Sequence, residues 1–323
     1  MKFALSLMFL LLSQSVFATT LKLAVLTPEG TTWSNSLRDM AKEIKNATNG
    51  EVELKIYYGG VAGDEPDALR KIRVGQLHGG IFTGKTLGEI YGDVRVVELP
   101  FTFKLDRARA YQTLTKLTPT FNAGFAKKGF KTLGFYEVGS IYLVTTKKAS
   151  NMDELKGLKI WAWEGDQMVA TMVDSLKLVS VPLALPDVLS SLSTGVIDAA
   201  YSSPLGVLAL QWQTKIKYVV DFPVAYAIAA FLVADKEWSK IKPASQKIIE
   251  DIAHKYSEAA NVTTVKENED ALASMKKMKI EFVKFPESDM KKGDGIRADV
   301  VSKLKGKLIS EAAINQLNKE MGK

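Results

Sequence analysis

The eight residues from Gly79 to Thr86 match the phosphate-binding pattern G-x-x-x-x-G-K-[ST], in which backbone amides and a lysine cradle a nucleotide. That motif needs a buried strand before its first glycine and a long helix after its last residue. Here residues 70–76 end a helical pattern, and residues 87–92 form a short segment with two glycines. Ile81 to Thr83 read as the strand itself. We therefore interpret the match as a coincidence and expect no nucleotide chemistry.

Hydrolysis is the other enzymatic possibility, and it needs a nucleophile beside a base, or a metal with its ligands. The chain has two histidines and no cysteine. We interpret His254, which lies among lysines and glutamates, as a surface residue, and His78, at a strand entry, as structural. No G-x-S-x-G sequence occurs, and no His, Asp or Glu grouping has metal-site spacing. The sequence favours a binding protein without catalytic residues, metal or cofactor.

The remaining chemical signal is a set of aromatic and small polar residues where strands end. Trp161 and Trp163 alternate with Ile160 and Ala162, so the two indoles share one face of a short strand. Ligands bind at the carboxyl ends of strands in open α/β sheets. The alternation predicts that the indoles line a cleft, and it leaves open that both are buried in a core. The other segments at predicted strand ends are Pro28 to Trp33, Gly59 to Asp64, Thr83 to Lys85 and Tyr201 to Pro204.

Two βαβαβ units must position these segments, one over residues 21–83 and one over residues 158–212. A helix beginning at Pro243 and ending near Met278 would be about 52 Å long at a rise of 1.5 Å per residue. That length exceeds one small domain, so the helix would either bridge two domains or bend near Asn261. Four further strands are predicted at Lys131 to Tyr136, Ile141 to Thr146, Tyr218 to Val220 and Ala227 to Ala234.

The first residues have the pattern of an export signal. Lys2 precedes an apolar run from Phe3 to Leu12, and Val16-Phe17-Ala18 fits a cleavage site, so the mature chain is expected to begin at Thr19. The apolar run is too short to span a membrane. Because the 323 residues include no cysteine, disulfides and thiol catalysis are excluded. The net charge of +7 is scattered rather than concentrated in a basic stripe, which argues against a nucleic-acid partner.

Five segments carry a family likeness: L-K-L-A-V-L-T-P-E-G, N-G-E-V-E-L-K-I-Y-Y-G-G-V-A-G-D, E-L-P-F-T-F, D-E-L-K-G-L-K-I and S-T-G-V-I-D-A-A-Y-S-S-P. Together they resemble the solute-binding proteins of tripartite ATP-independent periplasmic (TRAP) transporters, the DctP-like family. The resemblance covers nearly the whole mature chain. It implies an α/β, two-domain periplasmic binding protein fold in which each domain is a mixed sheet flanked by helices. A long bridging helix, a central cleft and the absence of enzymatic activity are implied as well.

The resemblance also implies a domain division and a cellular role. Residues 1–18 would be the signal peptide, residues 19–143 plus 226–262 the N-terminal domain, and residues 144–225 plus 263–323 the C-terminal domain. The helix at about 243–278 would span both domains. The protein would work in the periplasm, and it would deliver a small molecule to a membrane permease made of a small and a large TRAP subunit.

The chain departs from this family where a carboxylate ligand is usually held. The resemblance places a clamping arginine where Trp161 stands, directly after L-K-G-L-K-I, and a second arginine at Ile141. The family's asparagine on a later strand is represented by Tyr201-Ser202-Ser203. Neither indole nor a branched alkyl chain offers the bidentate fork of a guanidinium. The chain is similar to a minority type without the arginine, which implies a hydrophobic or lipid-like ligand and a periplasmic helical-repeat partner.

We therefore expect a small apolar or amphipathic ligand. The residues expected to bind it are Trp161, Trp163, Tyr201, Ser202, Ser203, Glu29, Lys85, Gln167 and Phe231. The aromatic residues would enclose the ligand, the serines and the glutamine would form hydrogen bonds, and Glu29 or Lys85 would bind a polar head group. Three alternatives stay open: an organic acid held by Lys85 or Arg70, a lipid shuttle or scaffold without a permease, and a hydrolase that uses His78.

Overall fold

The computed structural model describes residues 18–322, so the predicted signal peptide lies outside the described residues except for Ala18. The strands are β1 (Thr19–Val25), β2 (Val52–Tyr57), β3 (Gly79–Thr83), β4 (Phe130–Thr145), β5 (Lys159–Trp163), β6 (Val179–Leu183), β7 (Ala199–Ser202), β8 (Tyr218–Ala234) and β9 (Glu281–Val283). The helices are α1 (Thr32–Ala47), α2 (Glu65–Arg73), α3 (Gly84–Ile90), α4 (Arg107–Ala126), α5 (Gln167–Ser175), α6 (Val188–Thr194), α7 (Pro204–Ala209), α8 (Asp235–Trp238), α9 (Pro243–Lys277), α10 (Glu287–Leu304) and α11 (Glu311–Glu320). Short 3-10 helices cover Gly92–Glu98, Leu185–Asp187 and Trp212–Thr214.

Within the described chain, the strands form one mixed sheet in the order β2-β1-β3-β8-β4-β7-β5-β6, and β9 pairs with β8. Pairing is parallel at one end, among β1, β2 and β3, and at the other end, among β5, β6 and β7. These ends are called the N-terminal half and the C-terminal half. The central pairs β3–β8, β8–β4 and β4–β7 are antiparallel. The predicted α/β class, with a mixed sheet flanked by helices, is confirmed.

Two long strands, β4 and β8, run through the centre of the sheet and reach both halves. The sequence predicted two shorter strands in place of each, and that prediction is wrong. The apparent break in β4 is a set of register shifts, including one between Glu137 and Gly139, where Gly139 has a φ of +105°. A glycine tolerates that backbone angle, so the chain bulges there and pairing with β8 continues.

The long helix is confirmed, since α9 is one helix of 35 residues from Pro243 to Lys277. It packs against α1 and β4, and also against α7 of the C-terminal half. Asn261 does not interrupt the helix, which is continuous from Pro243 to Lys277. Its Oδ1 accepts a hydrogen bond from the Glu137 amide at 2.7 Å, and its Nδ2 donates to the Phe135 carbonyl at 3.1 Å. The side chain therefore fastens the middle of α9 to β4.

Apolar side chains cover both faces of the sheet. On one face of the N-terminal half, Leu21 and Leu23 pack with Met40 of α1 and Ile249 of α9. The predicted strand within the phosphate-loop match is confirmed as β3, and the α3 helix that follows it has seven residues. No helix within residues 18–322 has the length and apolar character needed to cross a membrane.

Candidate ligand-binding cleft

Two cavities lie side by side between the two halves of the sheet. The tryptophan chamber, of about 200 Å³, is lined by Trp161, Trp163 and Trp212 among others. The loop chamber, of about 210 Å³, is lined partly by Thr27, Pro28 and residues 31–33, which follow β1. The lining residues common to both chambers are Leu26, Glu65, Thr83, Val138, Leu185 and Leu210. The chambers are therefore neighbouring parts of one inner cleft.

The strand β5 carries two indoles into the tryptophan chamber. Trp161 and Trp163 lie on one face of β5, while Ile160 and Ala162 belong to the core on the other face. The Nε1 group of Trp161 donates to the Leu183 carbonyl at 3.0 Å, and that of Trp163 donates to Asp64 Oδ2 at 2.7 Å. Both polar N–H groups are thus satisfied within the protein. What the indoles present to the chamber is apolar ring surface.

Tyr201, at the end of β7, completes an aromatic wall. Its ring stacks on Trp161 with centroids 4.7 Å apart and planes 14° apart. Trp212 meets the edge of Trp161 at 5.6 Å, a contact that sequence reasoning missed. Burial raises the pKa of the Tyr201 hydroxyl well above its usual range, so this group stays protonated. The wall is consequently uncharged.

Aliphatic residues and methionines form most of the remaining surface of the tryptophan chamber. Ile141 of β4, at one of the predicted arginine positions, is 7% exposed and lines this chamber. The other apolar lining residues include Pro100, Met168, Val169, Met172, Val224, Ala225 and Ala227. Surfaces of this kind bind ligands by burying apolar area, with few directional contacts.

The two predicted serines lie in different chambers. Ser202 lines the tryptophan chamber, and Ser203 lines the loop chamber. The Ser203 hydroxyl caps α7 by accepting a hydrogen bond from the Gly206 amide at 3.2 Å. That leaves its own O–H available to donate.

The structure places three predicted ligand-binding residues outside the inner cleft. Phe231 is 1% exposed and packs in the core between the sheet, α1 and α9, because it faces away from the chambers on β8. Glu29 is exposed on the loop after β1 and pairs with Arg38 at 3.4 Å. Gln167, the first residue of α5, is exposed beside a separate outer crevice. The alternative cation Arg70 is exposed on α2 and pairs with Asp67.

Lys85, at the start of α3, lines the tryptophan chamber and the outer crevice. Its side chain is 11% exposed, and its Nζ lies 3.2 Å from Glu89 Oε2. Gly165, from the loop after β5, packs close to the Lys85 side chain. Lys85 thus lies where the two halves meet.

A second cation in the chamber wall, Arg95, was missed by sequence reasoning. It lies in the 3-10 helix Gly92–Glu98 and pairs with Asp166, which caps α5 in the C-terminal half. Its Nη1 and Nη2 donate to Asp166 Oδ1 and Oδ2 at 3.2 Å and 3.1 Å. Its Nε lies 2.6 Å from Glu98 Oε2, but the N–H is not aligned for a hydrogen bond. These three residues are called the arginine cluster.

Burial and charge act in opposite directions within the arginine cluster. Burial alone would lower the pKa of the Arg95 guanidinium, but the attraction of Asp166 and Glu98 outweighs it and raises that pKa. Burial raises the pKa of the Glu98 carboxyl, and Arg95 opposes this shift. Arg95 therefore remains a cation whose nitrogens face the protein's own carboxylates.

Glu65, the first residue of α2, is the acid common to both chambers. It is 3% exposed, and its Oε1 accepts hydrogen bonds from the Thr83 amide and hydroxyl, each at 3.0 Å. Burial, only partly offset by these bonds, raises the pKa of its carboxyl to about 7. Sequence reasoning missed Glu65, because the adjacent carboxylates Asp64 and Glu65 were interpreted as solvated.

The structure brings together no catalytic group or metal site in the described part of the chain. His78 is held at β1, where its Nδ1 lies 3.0 Å from the Thr20 carbonyl and 3.2 Å from the Lys22 amide. No group of three or more His, Asp or Glu residues there is arranged to hold a metal ion. The cleft's geometry is that of a binding site.

Comparison with known proteins agrees with this geometry. The sequence profile of the bacterial extracellular solute-binding protein family 7, DctP, matches residues 23–303. The chain belongs to this family. Family 7 consists of substrate-binding proteins rather than enzymes, so the expectation of no enzymatic activity is confirmed.

Relatives within family 7 differ considerably in sequence. A solute-binding protein of Chromohalobacter salexigens is 32% identical over 166 residues, which are 51% of this chain and 49% of that protein. The chain therefore matches about half the length of this relative.

Solved structures show the shared fold. The Bordetella pertussis extracytoplasmic solute receptor DctP7, binding pyroglutamic acid, has a TM-score of 0.86 at 19% identity, covering 95% of this chain and 100% of that chain. A TRAP periplasmic solute-binding protein from Desulfovibrio salexigens with bound orotic acid has a TM-score of 0.85 at 19% identity, covering 94% and 99%.

Proposed function

We propose that this family 7 protein is the periplasmic solute-binding protein of a TRAP-type transporter. It captures a small molecule in the inner cleft and delivers it to a membrane permease of one small and one large subunit. The family match and an inner cleft between the two halves support this role. The D. salexigens protein of similar fold is a TRAP periplasmic solute-binding protein, which supports the same role.

The proposed domains are residues 19–143 plus 226–262 and residues 144–225 plus 263–323, which close on the ligand by a hinge motion. Under this division β4 and β8 cross from one domain to the other. The hydrogen bond from Trp163 to Asp64 joins the two domains, and so does the bidentate pair of Arg95 and Asp166. Both contacts support a closed arrangement of the proposed domains.

The ligand class that the cleft supports best is an amphipathic molecule with an apolar body. The observation that carries this proposal is that both indole N–H groups on β5 are bonded inside the protein, which leaves apolar ring faces toward the chamber. Each Å² of apolar ligand surface covered there contributes about 25 cal/mol. The polar head of such a ligand meets Ser202, Glu65 or Lys85 at the edges of the chamber.

Extraction of the protein purified from its own periplasm, followed by mass spectrometry, tests the ligand class. We expect an apolar or amphipathic molecule in stoichiometric amount. Recovery of a dicarboxylate or a sugar acid alone would contradict the proposal.

An organic acid held by Lys85 is the second candidate. Two observations favour it: Lys85 is a largely buried cation at the chamber, and the two similar structures carry orotic acid and pyroglutamic acid, both of them carboxylic acids. Under this candidate, Lys85→Met loses affinity for a panel of organic acids in calorimetric titrations. Arg70→Met is the matched control, because Arg70 is exposed and lies outside both chambers. Equal affinities in the wild type and Lys85→Met would exclude this candidate.

A further inference from the structure

The guanidinium of Arg95 lines the tryptophan chamber, yet its nitrogens face partners that the chain itself supplies. Asp166 takes the two terminal nitrogens in a bidentate pair, and Glu98 approaches Nε. The side chains of Arg95, Asp166 and Glu98 are 6%, 4% and 6% exposed. This is the geometry with which an arginine recognises a carboxylate, and here the carboxylate belongs to the protein.

Both acids are also fixed from behind by backbone amides. Asp166 Oδ1 accepts hydrogen bonds from the Met168 amide at 3.0 Å and the Val169 amide at 3.2 Å, at the start of α5. Glu98 Oε1 accepts one from the Ile228 amide of β8 at 3.0 Å. A ligand carboxylate that displaced either acid would therefore leave a buried, charged group without its counter-ion, which is strongly unfavourable.

The net charge of the arginine cluster also disfavours a carboxylate ligand. One cation is matched with two carboxylates, so the cluster carries a net charge of −1 when all three groups are ionised. Glu65 adds a further acid to the same chamber, and Lys85 adds a cation that is already paired with Glu89. When these acids are ionised, an incoming carboxylate meets more negative than positive charge at this end, in a chamber where burial strengthens the repulsion.

We infer that Asp166 and Glu98 are specificity-determining residues that occupy the carboxylate side of Arg95, so that this end of the chamber rejects carboxylate ligands and accepts neutral ones. The inference rests on the proposed function, because it names the ligand class of the same cleft. It also assigns Arg95 a definite role, since its guanidinium pairs with Asp166 and Glu98 and is not free to bind a ligand.

Neutralising one acid tests this inference, because it should convert Arg95 into an anion site. Asp166→Asn removes the charge and keeps an oxygen that can accept from the Met168 and Val169 amides. The probes are benzoate and its neutral analogue benzamide, measured by calorimetric titration at pH 8. Benzoate affinity should rise about tenfold or more in Asp166→Asn, while benzamide affinity changes less than about twofold. Asp174→Asn is the control, since Asp174 lies on the exposed side of α5 and pairs with Lys303.

Glu98→Gln provides a second variant if Asp166→Asn fails to fold, and circular dichroism establishes folding in each case. A selective gain for benzoate in either folded variant supports the inference. If neither variant binds benzoate more tightly than the wild type does, including the case of no binding at all, the inference is wrong. Should both variants fail to fold, the wild type decides, because a preference for benzoate over benzamide or equal binding of the two overturns the inference.

The proposed ligand class and the proposed role of Asp166 and Glu98 can be refuted independently. Recovery of an organic acid from the wild-type protein together with the benzoate gain refutes the apolar ligand but leaves the role of Asp166 and Glu98 intact. Recovery of an apolar ligand without the gain refutes only that role.

Discussion

Glu65 lies between the two chambers as a buried carboxyl that pairs with no cation among residues 18–322, and it accepts hydrogen bonds from Thr83. Its pKa is raised from 4.5 to about 7, with burial as the leading cause. A carboxyl of this kind takes up its proton more readily in the folded chain than in the unfolded chain. The proton therefore stabilises the fold, and its loss weakens it.

We expect the free energy of unfolding to fall as the pH rises from about 4.5 through about 7, because the stabilising contribution of Glu65 is complete below its unfolded pKa and is lost as the folded group ionises. The change attributable to this residue is at most about 3 kcal/mol. Urea denaturation of the wild type and Glu65→Gln between pH 4 and 8 measures it. The variant should lack this component, and parallel pH profiles for the two proteins would contradict the expectation.

At the scale of single residues, the sequence predicted the aromatic residues of the cleft wall better than it predicted the charged residues there. The period-two alternation in β5 placed Trp161 and Trp163 together, since side chains on one face of a strand share a direction. Arg95 and Glu98 lie in the apolar run V-R-V-V-E-L-P, and two charges inside such a run were the available signal. Their partner Asp166 is 71 residues from Arg95, so no local pattern indicated the pairing.

The attachment of α9 to β4 depends on the side-chain amide of Asn261, in the middle of the helix. Asn261 satisfies the Glu137 amide and the Phe135 carbonyl of β4, both next to the bulge at Gly139. Replacing it by leucine leaves these two backbone groups buried without partners. We expect Asn261→Leu to lower the free energy of unfolding by about 2–4 kcal/mol.

Chemical denaturation measures this loss, and Val262→Ala is the control on the neighbouring residue. Val262 is 74% exposed, so its truncation should change stability by less than about 0.5 kcal/mol. Equal stabilities for the two variants would show that Asn261 does not fasten α9 to β4.

The sequence predicted which segments are helices and strands more successfully than it predicted whether neighbouring strand segments are continuous. The length of α9 could be predicted, because no breaker interrupts residues 243–277. Gly139 and Pro223, which lie between the predicted pieces of the two long strands, are residue types typical of strand ends. The structure pairs Pro223 with Tyr142 and Gly139 with Ala227, so each is accommodated inside an irregular β4–β8 ladder. Pairing partners distant in sequence decide such a case, and local propensity does not.

For the molecule as a whole, the state of the cleft depends on a few bonds between its two walls. The bond from Trp163 Nε1 to Asp64 Oδ2 connects β5 with the residue that caps α2. We expect Trp163→Phe to keep an aromatic ring at the chamber but to weaken the closed arrangement by about 1.5–3 kcal/mol, the value of a hydrogen bond to a charged group. The radius of gyration from small-angle X-ray scattering should increase.

Trp161→Phe is the matched control for this measurement. The bond from Trp161 Nε1 goes to the Leu183 carbonyl, within the same half of the sheet, so its loss should leave the radius of gyration unchanged. An unchanged radius in Trp163→Phe as well would refute the role of the Asp64 bond in closure.

The two βαβαβ units predicted the two halves, and the length of α9 predicted a bridging helix, but the continuous pairing of β4 with β8 was not predicted. The connection through β4 and β8 depends on antiparallel pairing between residues far apart in sequence, such as Phe130 with Ala234. No breaker or linker in the sequence indicates such pairing. The arginine cluster could not be predicted either, because Arg95 and Asp166 are also far apart in sequence.

The crowding of indoles around the tryptophan chamber also gives the protein an optical property. The ring centre of Trp161 lies 5.8 Å from that of Trp163 and 5.6 Å from that of Trp212. Chromophores this close share their electronic transitions, so the three rings absorb near-ultraviolet light as a coupled set. A molecule that enters among them alters that coupling, and the chain therefore carries its own label-free signal of occupancy in circular dichroism.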